Sequence, residues 1–252
     1  MPVLDRRPSK PHPSRLTKYN LARYLIGGAP VAELKPRPYT WRLWDRLNQG
    51  RQGACVTHTK THEALAKPKP VDFRLIRLPA WAPQSRKLQL AGAPALAIAQ
   101  GFAFEFYLWC RRNDEFPGEA DEGTSADAGA RGMVDAGLWG GFVWSQTVRD
   151  FAVGVSRHGP GGIAVDWHTG MMRPDVDGYI RPTGPVEGGH EILTSGIRIT
   201  GKGAYDFDAV LEQSWGDRLK WLIRGGDLAQ LTEGGNGEMV LPTRRLIPRL
   251  AA

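Results

Sequence analysis

The sequence predicts an α+β fold in which a helical first half precedes a strand-rich second half. Three observations point to it. Cys55 to Leu65 contains no Gly or Pro, and Ala91 to Arg111 is apolar and Ala-rich, so both read as helices. From Gly162 onward the texture changes to short apolar runs separated by Gly and Pro, as in an antiparallel sheet. The chain of 252 residues, 41% apolar and 23% charged, is large enough for a substantial core, either one large domain or two lobes sharing a cleft.

Taken in order, residues 1–15 are polar with four prolines (Pro2, Pro8, Pro11, Pro13) and read as disordered or polyproline-like. Leu16 to Ile26 suits a short helix ended by Gly27-Gly28. Pro36-Arg37-Pro38 keeps the chain extended into Trp41 and Trp44. The helix from Cys55 stops before Pro68 and Pro70, and Val71 to Leu78 alternates enough for a strand or an extended connection. After the Ala91–Arg111 helix comes an acidic loop from Asn113 to Thr124 that includes Asp121 and Glu122, read as solvated charges like Asp5. Ser125 to Asp135 reads as a helix with Gly137 just past its end, and Ser145 to Val155 as another. Strands are expected at Ile163-Ala164-Val165, Tyr179-Ile180, Glu191 to Ile199 and Lys220 to Ile223. The expected division is a basic, Pro-rich extension over residues 1–38 and a domain over 39–252, helical to about 155 and β-rich from about 156.

The net charge of +7 is concentrated at the start: residues 1–40 hold eight Lys/Arg against two Asp/Glu. Such an arm suits a solubilising or loosely docked extension, or contact with nucleic acid or an acidic partner surface. No aromatic stacking platform or zinc-finger spacing accompanies it. No apolar run approaches a membrane span, and no signal-type segment follows the first charges, so no membrane partner is expected. Two cysteines, Cys55 and Cys110, do not make a disulfide framework; a reducing, cytoplasmic location is expected. Cys110 reads as a small buried hydrophobe.

The run Gln49-Gly50-Arg51-Gln52-Gly53-Ala54-Cys55 puts a thiol at the start of a helix, behind flexible backbone and six residues after a glutamine. A helix N-terminus favours thiolate, and a nearby imidazolium favours it further. His190, in Gly188-Gly189-His190-Glu191-Ile192, is the candidate imidazole, able to pass a proton to a leaving amine. Gln213, in Gln213-Ser214-Trp215-Gly216, offers an amide oxygen to orient its ring. The Cys55 backbone N–H and the Gln49 side-chain amide would receive an oxyanion, with Gly50 and Gly53 giving the loop its freedom. His58 and His62 form a C-x2-H-x3-H pattern with Cys55 on one helix face. A closed zinc site needs a fourth protein ligand and none is evident, so no metal or other cofactor is expected. Asp166-Trp167-His168-Thr169-Gly170 reads as ordinary packing at a strand end.

Over about residues 40–245 the chain resembles the papain-like (C1) cysteine peptidases, and among them the compact, propeptide-free bacterial and bacteriophage members. The family's Gln-Gly-x-Cys-Gly-Ser-Cys-Trp stands here as Gln49 to Val56, and His190 follows Cys55 by 135 residues, within the family's range of about 130–150. Gln213-Ser214-Trp215-Gly216 resembles the family's Asn-Ser-Trp-Gly, where the Asn orients the His and the Trp shields that bond. The resemblance implies a two-lobe fold with a helical first lobe, a β-sheet or barrel second lobe, and the active site in the cleft. It implies Cys55, His190, Gln213 and Gln49 as catalytic residues acting on a peptide or protein substrate. Gly123, Thr124, Gly189 and Trp215 are implied on the substrate side.

Three departures stand out. Gln52 replaces the first motif cysteine, Val56 replaces an aromatic and alters the cleft wall beside the nucleophile, and Gln213 replaces Asn, one methylene longer. The two functional readings are therefore a thiol peptidase and a catalytically weak or inactive papain-fold binding or structural protein, virion-associated as a phage-particle component. Transglutaminase-type acyl transfer on the same residues is a third. Only 48 residues precede Gln49, so removal of a large prodomain is not expected; the sequence leaves open whether residues 1–35 lie over the cleft.

Overall fold

The computed structural model describes residues 4, 6–8, 21, 34–116, 123–216, 219 and 221–246. Apart from Leu21, the helix expected over Leu16–Ile26 lies outside them, as do Gly27-Gly28, Asp5, Asp121, Glu122, Lys220 and most of residues 1–15. In chain order the elements are β1 (Tyr39–Thr40), α1 (Cys55–Ala64), α2 (Pro83–Leu90), α3 (Ala95–Asn113), α4 (Ala126–Asp135), β2 (Trp139–Ser145), α5 (Val148–Arg157), β3 (Gly161–His168), β4 (Val186–Ile199), β5 (Phe207–Glu212), β6 (Trp221–Arg224), α6 (Gly225–Thr232) and β7 (Glu238–Arg245). The strands form an antiparallel sheet in the order β2-β7-β3-β4-β5-β6, with β1 paired to β4. No helix among the described residues is long and apolar enough to cross a membrane.

Local chemistry explains most boundaries. The helix expected over 91–111 is α3, which starts four residues later, after Pro94 (extended at ψ 144°), and runs to Asn113, while α2, ending at Leu90, is a helix the sequence reading did not contain. Ser125 caps α4 by accepting from the Ala128 N–H at 3.2 Å, and Gly137 turns the chain at φ 68° beyond its end. Thr147 caps α5 by accepting from the Asp150 N–H at 3.1 Å; Ser145, expected to start that helix, ends β2 instead. Val71–Leu78 is neither a strand nor a fully extended connection: it turns at Asp72–Leu75, where the Leu75 N–H donates to Asp72 O at 2.9 Å. Tyr179 makes only a single bridge to Leu222, and β4 begins at Val186, five residues before the expected start.

Two apolar clusters flank the sheet. One gathers Phe73, Ile98, Phe102, Phe106 and Met133 of the helical half with Trp139 and Trp144 of β2. The other gathers Phe151, Val153, Ile163, Trp167, Ile192, Phe207 and Trp221. β2 serves both, because successive side chains point to opposite faces: Trp144 belongs to the first cluster and Val143 to the second.

Helix α1 lies between sheet and helices with every residue buried, although its sequence is mostly polar. Each polar group therefore needs a partner. Thr57 and Thr61 donate back to the carbonyls of Ala54 (3.2 Å) and Thr57 (2.7 Å). Thr59 donates to the Glu191 carbonyl at 3.0 Å, Lys60 pairs with the Glu191 carboxylate, and Glu63 accepts from Trp139 Nε1 at 2.8 Å. His58 Nδ1 donates to Ala54 O at 2.8 Å while its Nε2 accepts from Gln100 Nε2 at 2.9 Å; His62 Nε2 donates to Asp45 O at 2.7 Å. The histidines are thus packing residues bonded to backbone and amide, and burial pushes both pKa values down to about 4.

Candidate active site

Cys55 opens α1, and His190 lies on β4 opposite Val165 of β3. Both are fully buried. The backbone N–H groups of Glu191, next to His190, and of Val56 favour the Cys55 thiolate. His190 Nε2 donates to Gln213 Oε1 at 2.8 Å, which fixes the tautomer and leaves Nδ1, buried and without a hydrogen-bond partner, holding the lone pair. The extra methylene of Gln213 does not prevent this bond.

Aromatic rings hold the imidazole on two sides. Trp215 lies at a ring separation of 4.9 Å and Trp167 meets it edge-on at 4.7 Å; the two indoles are also edge-on at 5.7 Å. Together they keep water from the His190–Gln213 bond. Trp167, expected to be ordinary packing, is thus part of the site. Nothing in its local sequence distinguishes it from any core tryptophan.

Gln49 is fully buried and held at both ends of its amide: Nε2 donates to Gln52 O at 2.9 Å, and Ser214 Oγ donates to its Oε1 at 2.5 Å. Its backbone N–H donates to Ser214 O at 2.8 Å, and Asn48 bridges to Trp215. The Gln49 loop is therefore stitched to the loop that supplies Gln213. Gly50 at φ 61° and Gly216 at φ 73° allow it; a Cβ on Gly216 would sit 2.6 Å from the Asn48 amide. Val56 packs against α4 so closely that a Cβ on Gly129 would fall 2.5 Å from its methyl, leaving no room for an aromatic there.

The other residues singled out in the sequence line a closed cleft. Gly123 lies at φ 80° with its N–H 3.3 Å from the Tyr107 hydroxyl, and Thr124 Oγ1 donates to Asp114 at 2.8 Å. The carbonyls of Thr124 and Gly189 are already engaged by the chain's own start: Arg6 N–H donates to Gly189 O at 2.7 Å, and Arg7 N–H to Thr124 O at 3.1 Å. The sequence left this coverage open; a short basic arm without periodicity carries no signal of where it docks.

Burial reverses the expected ionisation. Helix dipole and imidazolium were expected to favour a thiolate; instead desolvation dominates, pushing the Cys55 thiol up to about 12 and His190 down to about 4. In this buried state both groups are neutral. Cys110 is likewise buried, free and held well above the ordinary thiol range, by desolvation first. Alkylation of the native protein by iodoacetamide at pH 8 is therefore expected to be slower at both cysteines than for a free thiol of pKa about 8.5. Intact-mass time courses beside the urea-unfolded protein check this; equal rates would mean that the cleft is open in solution.

No family model matches the sequence, and no curated protein sequence matches it. Solved structures do. The digestive procathepsin L 3 of Tenebrio molitor larval midgut superposes over 92% of this chain and 77% of its own, at 12% identity and a TM-score of 0.53. The fold is papain-like. Xylellain, a cysteine protease from Xylella fastidiosa, covers 85% of this chain and 88% of its own at 15% identity with a TM-score of 0.40. Bromelain from Ananas comosus, in complex with the E64 inhibitor, covers 80% and 94% at 15% identity with a TM-score of 0.41. In this papain-like fold the candidate thiol comes from the central helix and the candidate imidazole from the sheet. No group of three or more His, Cys, Asp or Glu side chains that could hold a metal occurs among the described residues.

Proposed function

We propose that the protein is a papain-type cysteine peptidase that cleaves peptide bonds through an acyl-enzyme on Cys55. The observation that carries this reading is the bond from His190 Nε2 to Gln213, with Nδ1 left unpartnered on the strand that passes the thiol. When the cleft opens, water and substrate lower the desolvation cost that holds both groups neutral. Nδ1 then takes the thiol proton, and sulfur attacks the substrate carbonyl carbon. The oxyanion so formed is received by the Cys55 backbone N–H and the Gln49 amide. Collapse of the tetrahedral species breaks the C–N bond, and the imidazolium protonates the departing amine. Water, deprotonated by His190, then hydrolyses the thioester and frees the thiol. Trp167 and Trp215 keep His190 from turning away from Gln213. Both cysteines being free, we place the protein in a reducing compartment.

The test is intact-mass labelling by a peptidyl epoxide near pH 6, comparing the native chain and Arg6→Ala with Cys55→Ala and His190→Ala. Single-site labelling at Cys55 that falls by about 10²-fold or more on loss of His190 is expected. Slow labelling of Cys110 and Cys55 alike, unchanged by His190→Ala, would overturn the peptidase reading and leave a papain-fold binding protein.

A further inference from the structure

We propose that the pocket holding the Arg6 side chain is a subsite for a substrate arginine, and that Arg6 fills it as an intramolecular stand-in. This deepens the peptidase reading and rests on it. Leu4, Arg6 and Arg7 of the arm lie against the residues singled out for the cleft. Leu4 lies over Gly188, Arg6 donates its N–H to Gly189 beside His190, and Arg7 pairs in parallel with Ser125 while donating to Thr124. A Cβ on Gly189 would fall 2.0 Å from the Arg6 carbonyl oxygen, so this surface admits a chain only because it lacks a side chain there. The backbone of the arm thus uses the carbonyls that a substrate chain would need.

The side chain goes into a built site. Arg6 is 3% exposed, and its guanidinium reaches the sheet where β3 and β7 run side by side, with Ala164 opposite Glu238. One terminal nitrogen shares its two hydrogens among Glu238 Oε2 at 2.9 Å, Asn236 O at 3.1 Å and Ala164 O at 3.2 Å; the other lies 3.9 Å from Asp166 Oδ1. Two carboxylates and two carbonyls make an acceptor-only surround, suited to the forked donors of a guanidinium. An uncharged side chain there would leave the Glu238 carboxylate without this cation. Nε and Nη1 of Arg6 have no hydrogen-bond partner, so the stand-in does not use every donor and is replaceable by a chain that enters more deeply.

The experiment uses the full chain carrying Cys55→Ala, which removes turnover, with Arg6→Ala or Arg6→Gly to empty the pocket. Calorimetry compares a blocked tripeptide with a central arginine against the same peptide with citrulline, its neutral isostere. In both emptied variants the arginine peptide is expected to bind about ten-fold tighter or more, the worth of a charge-assisted hydrogen bond. Adding Glu238→Gln should bring the two peptides level. With Arg6 present, both peptides should bind weakly. Equal binding of the two peptides, no binding of either to the emptied variants, or a preference that survives Glu238→Gln would each overturn the subsite. Because this binding needs no thiol, its failure is separate from failure of the epoxide labelling, which would strike the peptidase reading alone.

Discussion

Acidification from pH 7 to pH 4 is expected to lower the melting temperature by on the order of 20 °C. Three buried histidines are the reason. His58, His62 and His190 each have a folded pKa pushed down to about 4 from 6.5, with desolvation the first cause in each. Between those values the unfolded chain binds more protons than the folded one, so stability present above pH 6.5 is lost as the pH falls through the folded values. Each histidine then contributes about 3 kcal/mol, against a total stability of about 5–15 kcal/mol.

The bonds explain why protonation is resisted. Nε2 of His58 already accepts from Gln100, and Nδ1 of His190 faces no acceptor. Glu191 acts the other way: burial raises its carboxyl, so the folded state takes up that proton more readily and offsets part of the loss. Scanning calorimetry at pH 7, 6, 5 and 4 checks the slope. A melting temperature level across pH 6.5 to 4 would mean that these side chains are hydrated in solution.

Lys60→Met is expected to cost about 3–5 kcal/mol, because it leaves the buried Glu191 carboxyl without its cation. The two side chains are 1% and 0% exposed. Gly162 makes the space: a Cβ there would lie 2.7 Å from the Lys60 ammonium and nearer still to the Glu191 carboxylate. The pair joins α1, which carries Cys55, to the residue after His190, so its loss loosens the site as well as the core. Lys60→Met with Glu191→Leu should recover most of the stability, since two apolar side chains of similar size replace the pair without leaving a charge behind. Urea unfolding of the single and double variants measures both. A single variant within about 0.5 kcal/mol of the parent, the ordinary range for a surface change, would show that water reaches the pair.

The sequence made the helices around Cys55 legible through local signals. Ser125 and Gly137 bracket α4, and the absence of Gly and Pro marks α1. Glycines at Gly50 and Gly216, where the backbone turns left-handed, marked the loops that meet at Gln49 and Gln213. The later start of α3, after Pro94, was legible in principle, but the Ala-rich composition on both sides masked it. β2, β5 and β7 were not read because their stretches mix apolar residues with Gly, Pro and charge; pairing partners far along the chain decide them. Trp139 of β2, for example, becomes core only once its ring nitrogen reaches Glu63 of α1.

By itself the sequence determined which residues could do chemistry: a thiol at a helix start, an imidazole 135 residues on, and two amides in Gly-flanked loops. These rest on local backbone geometry and side-chain type, which a short stretch of chain contains. Only the tertiary structure decided their electrical state, the rings that hold His190, and the place of Arg6. Those depend on desolvation and on partners distant in the chain, 23 and 25 residues off for the two rings beside His190 and more than a hundred and fifty for Arg6. Cys55 is held neutral by its burial, and Arg6 is held because Asp166 and Glu238 converge on it from adjacent strands.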